Sequence, residues 1–371
     1  MSMTKTKRDI LITGFPSFVA REFFQHVYEK EKKSIFRLLV RPEVVDQAKR
    51  ILEKGGFDEE RVVVYSGDVV AIDLGLSGTE YLEVVAKVTD IYHIATIWWL
   101  GVERARVRNV NVLGARNVID AALEMKNLNR LNHFSTAFVS GERTGVIMES
   151  ELDTKQKFRN RYERTKFEAE LMMRESMQRL PISIYRPTII VGDSKTGVID
   201  KLAGPYYLIT AMMHMPANLP VVMPGKGDKP LNLVPIDFVC EAMLAISKKE
   251  GTAGKTFHLC DPNPLSSRGV FKLVADAAGV PSPVGKRVPY RLTNALLKLP
   301  FLEKVTRNPR QFLEEVNQLT IYNSINTIEA LRDSDIRCPP LKNYIGHLIN
   351  YLKKSEHMVD VPSSAAEDIL G

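Results

Sequence analysis

Cysteine and tryptophan are scarce in this 371-residue chain, with three and two residues respectively. The cysteines, Cys240, Cys260 and Cys338, are odd in number and form no CxxC pair. That excludes a disulfide-dense scaffold, argues against a structural zinc site, and fits a reducing compartment such as the cytoplasm. No metal is expected. Internal repeats and low-complexity blocks are missing too. The first apolar run, Ile10 to Ile12, is too short for the core of a signal peptide. The longest stretch free of formal charge, Leu202 to Gly225, is broken by Gly204, Pro205, Pro216, Pro220 and Pro224. It predicts a short helix and an extended tail rather than a membrane span. An excess of one charge sign is missing from most of the chain as well. The net charge is +7, and residues 251–310 carry ten Lys/Arg against three Asp/Glu, so the rest is balanced. A pI near 9 therefore does not point to nucleic acid, and no nucleic-acid partner is expected.

What is present is an ordinary globular composition, 44% hydrophobic and 26% charged. The first half alternates short β-branched runs with helical stretches. Asp9–Thr13, Ile35–Val40, Val62–Tyr65, Asp90–Ala95, Leu131–Ser135 and Ile182–Tyr185 read as strands. Phe18–Lys30, Glu103–Met125 and Tyr162–Arg179 read as helices. This predicts an α/β fold: a Rossmann-type doubly wound parallel sheet, with ligands at the carboxyl ends of its strands. After residue 193 Pro and Gly become frequent, a strand is expected at Thr256–Cys260, and residues 262–320 read as mostly helical. The expected division is a Rossmann domain over 1–192 plus about 231–261. A smaller substrate lobe takes about 193–230 plus 262–352, and 353–371 form a flexible tail.

Strand one runs directly into Thr13-Gly14-Phe15-Pro16-Ser17-Phe18-Val19-Ala20. Glycine permits a tight turn, and small residues three and six positions later let a helix N-terminus face a pyrophosphate. Ser17 and Ala20 stand where such turns carry further small residues, and a plain β-to-α turn is the alternative. Arg41 follows strand two, at the place that sees the adenosine ribose. An acidic residue there would bind the 2′-hydroxyl of NAD, whereas arginine suits a 2′-phosphate, so NADP(H) is expected over NAD(H). The alternative is a solvated arginine beside Pro42. Gly67-Asp68-Val69 follows strand three, where Asp68 could reach the adenine amino group or simply close an Asx turn. Tyr162 and Lys166 stand four apart on one helical face. A nearby ammonium favours the phenolate, which makes the tyrosine a usable general acid toward a carbonyl oxygen. Strand five ends in Phe134-Ser135-Thr136-Ala137, which offers a hydroxyl at the same edge.

With these pieces in order, the chain resembles the extended short-chain dehydrogenase/reductases from the Gly14 turn to about Tyr351. The shared phrases are TGxxSxxA, GDV at 67–69, HIA at 93–95, NVNVLGARNV at 109–118, FSTAFVSG at 134–141, YERTK at 162–166 and YRPTIIVGD at 185–193. The resemblance implies a catalytic set of Thr136, Tyr162 and Lys166, with Ser135 the neighbouring alternative to Thr136 and Asn111 a structural asparagine. It implies cofactor contacts at Gly14, Phe15, Pro16, Ser17, Phe18, Arg41, Asp68, Val69, Ala95, Thr96, Tyr162, Lys166 and Pro187. Ser17 departs from the glycine of the pattern. Further phrases, among them Leu74-Gly75-Leu76-Ser77, VGDSKTG at 191–197 and Leu233 to Val239, are similar to the fatty acyl-CoA and thioester reductase branch. They imply acyl thioesters or long-chain aldehydes as substrates, reduced by NADPH with tyrosine as the acid.

Trp98 and Trp99 follow strand four and suggest an apolar pocket; Tyr206, Tyr207 and Met212 form an adaptable apolar stretch. Core packing is the alternative for both groups. Over 286–310, Lys286, Arg287, Arg291 and Lys298 interleave with leucines. Such a stretch is a solvated face, a dock for an acyl-carrier protein or coenzyme A, or a peripheral contact with an anionic membrane. Other functions considered are an NAD-retaining nucleotide-sugar epimerase or dehydratase, a hydrophobic ketone reductase, and a non-catalytic NADP(H)-sensing protein. The sequence leaves the oligomeric state open.

Overall fold

A computed structural model describes residues 7–98, 102–200, 204–213, 226–281 and 318–355. In chain order its strands are β1 Asp9–Thr13, β2 Ile35–Val40, β3 Val62–Ser66, β4 Asp90–His93, β5 Arg130–Phe134, β6 Gly145–Ile147, β7 Ile182–Pro187, β8 Ile189–Val191, β9 Leu233–Pro235, β10 Lys255–Leu259 and β11 Thr320–Tyr322. Seven form one sheet in the order β10-β7-β5-β4-β1-β2-β3, with every neighbouring pair parallel. Strand order reverses between β1 and β4, so a crevice opens beyond their carboxyl ends.

Both faces of the sheet are covered, because alternate residues point to opposite sides. Ile10 and Ile12 of β1 join one core with Phe23 and Phe24 of α1 (Phe18–Lys30), Ala48 of α2 (Val45–Gly55) and Val239 and Met243 of α8 (Ile236–Lys248). Leu11 faces the other core. There it meets Val84 of α3 (Gly78–Lys87), Val118 of α5 (Gly114–Glu124) and Met173 of α6 (Arg161–Ser176). A separate core joins Val191 and Leu233 to α7 (Pro205–Met213), α9 (Ser267–Ala278) and α11 (Ile345–Ser355).

The helix expected over Glu103–Met125 is not uniform. It consists of α4 (Arg104–Arg108), a π-turn at Asn109–Leu113 and α5. Widened turns of this kind often mark functional places in a helix, and here the turn carries the buried Asn111. The helix expected over Tyr162–Arg179 ends three residues sooner, at Ser176. The strands β6, β8, β9 and β11, each of three residues, pair as β8 with β9 and β6 with β11. Of the stretch 262–320, read as mostly helical, Ser267–Ala278 is a helix, Thr320 opens β11, and 282–317 lie outside the described residues. A short helix, α10 (Ile325–Ala330), follows β11. No helix of the described residues is long and apolar enough to cross a membrane.

Candidate active site

The crevice at the reversal point is an open cleft lined by Gly14, Phe15, Pro16, Ser17, Arg41, Asp68, Val69, Ala95 and Thr96, all singled out by sequence. Leu39, Val44, Gly67 and Val110 complete it. Gly14 has φ +92, and a Cβ there would stand 2.7 Å from Ala95 N and 2.8 Å from its Cα. The glycine is therefore required by both conformation and space. Gly14→Ala is expected to lower stability by about 1–3 kcal/mol and to weaken dinucleotide binding, because the turn must move away from Ala95. Chemical denaturation and a cofactor titration check this; wild-type values for both would contradict it.

The turn is held from below. The amides of Ile94 and Ala95 donate to Thr13 Oγ1, each at 3.2 Å. With both lone pairs of that oxygen engaged, the hydroxyl proton goes to His93 Nδ1 at 2.9 Å. His93 is thus a neutral acceptor, and burial together with the positive charge of Lys166 pushes it down to about 3. Past the turn, α1 begins at Phe18 with no acidic residue in its first turn. Its N-terminal N–H groups are left for an anion. Phe18 itself packs against the core rather than lining the cleft. A Cβ at Gly114 would stand 2.8 Å from Val69 Cγ2, so this glycine lets α5 approach the cleft wall. Asn117 Nδ2 pins the same wall by donating to Val69 O at 2.7 Å and Ala71 O at 3.1 Å. Asp68 Oδ1 accepts from Val70 N at 3.1 Å, the Asx turn foreseen as its alternative. The residues present fit a dinucleotide: a glycine turn without room for a Cβ, an uncompensated helix N-terminus, and an arginine on the cleft wall just after β2.

The second half of the site is built on α6. Asn160 caps it, accepting from Glu163 N at 2.9 Å. Tyr162 is half-buried in the first turn. Lys166, one turn on, is 2% exposed and donates from Nζ to Phe134 O at 2.5 Å. This bond ties the lysine to the last residue of β5, immediately before Ser135 and Thr136. Burial pulls Lys166 down to about 7, while Glu170 acts to raise it. Thr136 is buried, and its hydroxyl accepts from Phe138 N at 3.3 Å. Ser135 turns the other way: its hydroxyl donates to Glu170 Oε2 at 2.6 Å. Asn111 is fully engaged. Its Oδ1 accepts from Ile97 N at 2.7 Å and Thr96 Oγ1 at 3.1 Å. Its Nδ2 donates to Ile97 O and Thr165 Oγ1, both at 2.9 Å. It braces the loop after β4 against α6.

Other expected residues have different surroundings. Tyr206 and Met212, read as substrate contacts, are core residues, 1% and 3% exposed, and the Tyr206 hydroxyl accepts from Gly192 N at 2.8 Å. Pro187 ends β7 beside Leu259 of β10. Trp98 is 40% exposed. Trp99, the side chain of Tyr207 and the basic stretch 286–310 lie outside the described residues. Asp237, which sequence reading passed over, fixes the loop after β8 by accepting from Ser194 N at 2.9 Å and Ser194 Oγ at 2.6 Å.

The family model described as male sterility protein, an NAD-binding family, matches residues 12–243. Glycine betaine reductase ATRR of Emericella nidulans is 27% identical over 291 residues, covering 73% of this chain and 22% of that protein. Fatty acyl-CoA reductase wat of Drosophila melanogaster is 28% identical over 213 residues, covering 50% of this chain and 41% of that protein. The chain thus spans less than half the length of either relative. Among solved structures, the terminal R domain of the myxalamid PKS-NRPS pathway superposes with a TM-score of 0.80 at 23% identity, covering 96% of this chain and 92% of that one. The chain belongs to the male sterility protein family of NAD-binding proteins and has the fold of the extended short-chain dehydrogenase/reductases.

Proposed function

We propose that the protein is an NADPH-dependent reductase of fatty acyl thioesters or long-chain aldehydes, with Tyr162 as the general acid. The observation that carries this reading is the placement of Tyr162 and Lys166 one turn apart on α6, with Lys166 Nζ fastened to Phe134 O. The bond fastens Lys166 at the carboxyl end of β5, which Ser135 and Thr136 directly follow in sequence. A bound nicotinamide supplies hydride to the carbonyl carbon. Thr136 orients the carbonyl oxygen, and Tyr162 delivers a proton to it as negative charge develops there. The Lys166 ammonium favours the phenolate left behind and binds the nicotinamide ribose. With a thioester the protonated product is a hemithioacetal, which expels thiol to give the aldehyde; a second reduction gives the alcohol. Commitment of the Ser135 hydroxyl to Glu170 supports Thr136 over Ser135 as the substrate's hydrogen-bond donor. Arg41 at the ribose end of the cleft supports NADP(H) over NAD(H).

In this reading residues 1–192 and about 231–261 bind cofactor, and the lobe of about 193–230 and 262–352 binds the acyl chain. The partner that delivers the chain is a carrier protein or coenzyme A. Names of the relatives support a carbonyl at the carboxylate or aldehyde level: one is a betaine reductase and another a fatty acyl-CoA reductase. The test follows NADPH oxidation against acyl-CoAs, carrier-bound acyl thioesters and aldehydes of graded length. Each buried CH₂ contributes roughly 0.8 kcal/mol, so KM should fall about fourfold per carbon while the chain is being buried. Turnover without net NADPH consumption would instead indicate an epimerase or dehydratase. Binding without turnover on any carbonyl would indicate a sensor.

A further inference from the structure

Two short segments carry the chemistry assigned to Thr136 and Tyr162. The first is the turn that follows Thr136, Ala137–Ser140 and on to Arg143. The second, Arg159–Glu163, enters α6 and holds Tyr162. The turn packs closely on the residues before the second segment. Glu142 N donates to Lys157 O at 2.9 Å, and a Cβ at Gly141 would stand 2.1 Å from the same oxygen. Beyond Lys157, side chains make the link to α6. Arg159, with its side chain 8% exposed, donates from Nε to Glu163 Oε1 at 2.8 Å, and its backbone N–H donates to Glu163 Oε2 at 3.0 Å. Glu163 directly follows Tyr162 and is 0% exposed. The far end of the guanidinium, Nη1, donates to Gln318 Oε1. Gln318 Nε2 donates in turn to Gly141 O at 3.1 Å and Arg143 O at 2.5 Å. One side-chain amide therefore bonds to both segments. Its orientation is fixed by its partners, because a guanidinium only donates and a carbonyl only accepts. Arg159 Cζ also lies 5.9 Å from the centre of the Phe138 ring, and Phe138 N is the donor to Thr136 Oγ1.

We propose that Gln318 is a positioning residue for the reduction, which acts through Arg159 and Glu163 to hold the first turn of α6 in register with the turn after Thr136. The proposal rests on the reading of Thr136 and Tyr162 as the groups that act on the carbonyl oxygen. Gln318 belongs to neither segment. It stands just before β11, in the part of the chain assigned to the acyl lobe, and β11 is seated on residues 143–147 through Gly145 N to Leu319 O at 2.8 Å and Thr320 Oγ1 to Arg143 O at 3.2 Å. The acyl lobe thus sends one amide between the two segments that must converge on the carbonyl. Without it, the Nη1 donor of a nearly buried arginine loses its acceptor and two carbonyls lose a donor, so Arg159 re-aims and the tyrosine hydroxyl shifts against the threonine hydroxyl. Small misplacements of this kind slow the chemical step more than they weaken binding.

The test is steady-state reduction of aldehydes of graded length by the full chain and by Gln318→Met, Gln318→Glu, Thr320→Val, Arg159→Met and the double variant Gln318→Met, Arg159→Met. Rates are expressed per NADPH-binding site titrated by fluorescence, so that an unfolded fraction does not count. Gln318→Met keeps the length of the side chain without its polar atoms, and is expected to lower kcat by at least about tenfold at every chain length. KM and NADPH affinity should stay within about twofold, the split expected for an effect on the transition state alone. Gln318→Glu keeps the acceptor for Arg159 but loses both donors to the turn, and should be impaired similarly. Thr320→Val removes a bond of the same strand without touching Arg159, and should keep kcat near wild type. The double variant should be no slower than Arg159→Met, because the two residues act in series. A kcat per site within about twofold of wild type in Gln318→Met, an equal loss in Thr320→Val, or additive losses in the double variant overturns the proposal. Tyr162→Phe, assayed in parallel, separates the two readings. If it is inactive while Gln318→Met is not impaired, the positioning role alone fails; if it keeps wild-type turnover, the reading on which that role rests fails first.

Discussion

Tyr162→Phe is expected to lower kcat for an aldehyde by about 10²–10⁴-fold, the range for removal of a positioned general acid, while NADPH binding changes by less than about twofold. The phenol ring remains, so the first turn of α6 keeps its shape and its Asn160 cap, which uses the Glu163 amide and not the tyrosine hydroxyl. Lys166 keeps its bond to Phe134 O, and so the ribose contact assigned to it also remains. What is removed is the proton that the reading delivers to the carbonyl oxygen. The lysine alone cannot replace it, because it is one turn away, 2% exposed and directed at β5. Lys166 also sets a pH limit. Burial holds it near 7 with Glu170 opposing, so the ammonium that favours phenolate at Tyr162 is lost as pH rises through that region. Steady-state kinetics on wild type and Tyr162→Phe from pH 6 to 9, with a parallel cofactor titration, measure both effects. A variant that keeps more than a tenth of wild-type kcat removes Tyr162 from the chemistry. A wild-type profile that stays flat across this range removes the dependence on Lys166.

The parts of the site legible in sequence are those whose chemistry is local. The Gly14 turn, the Gly67-Asp68-Val69 loop and the Tyr162–Lys166 pair each occupy a few residues, and the alternation of β-branched runs with helices predicted the strands that carry them. Leu39, Val44 and Val110 escaped notice because an apolar residue on a cleft wall has the same sequence character as one in the core. The same ambiguity misplaced Tyr206 and Met212, which belong to the separate core with Val191 and Leu233. Three-residue strands such as β8 and β9 are too short to show a period. Ser135 and Thr136 are adjacent hydroxyls that nothing local separates. They part only in the fold, where extended backbone sends one toward α6 and a carboxylate 35 positions away supplies its partner.

Glu170 carries the second large effect. It is 0% exposed and receives Ser135 Oγ at 2.6 Å, Arg186 Nη2 at 2.6 Å, Arg186 Nε at 3.0 and 3.1 Å, and Arg174 Nε at 3.0 Å. Arg186 is itself 1% exposed and reaches on to Glu151 O at 2.8 Å and His258 Nε2 at 3.2 Å. The cluster joins α6 to β7 and β10 directly under the catalytic edge. Burial alone would raise the Glu170 carboxyl; Arg186, Arg174 and Ser135 overcome it and hold the group below the usual range. Its contribution is therefore present at neutral pH and is lost as pH falls through the depressed native value. Glu170→Gln keeps the size of the side chain but leaves the Arg186 charge buried without a counter-charge. The expected cost is about 3–5 kcal/mol, because breaking a buried pair from one side leaves an uncompensated ion. Lys87→Ala, which breaks an exposed pair with Glu83 in which the lysine is 58% exposed, should cost less than about 1 kcal/mol. The double variant Glu170→Leu, Arg186→Met should recover much of the loss by removing both charges together. Urea denaturation at pH 7 and at a series of pH values below 4 measures all three. A cost below about 1 kcal/mol for Glu170→Gln at pH 7 would mean that water reaches the cluster, and a cost that does not fall as pH drops below the usual carboxylate range would mean that the carboxylate charge is not what holds it. In the fraction that still folds, loss of the carboxylate also removes the group that raises Lys166. The alkaline fall in turnover should then begin at lower pH than in wild type, so one buried charge links the stability of the sheet edge to the protonation of the lysine above it.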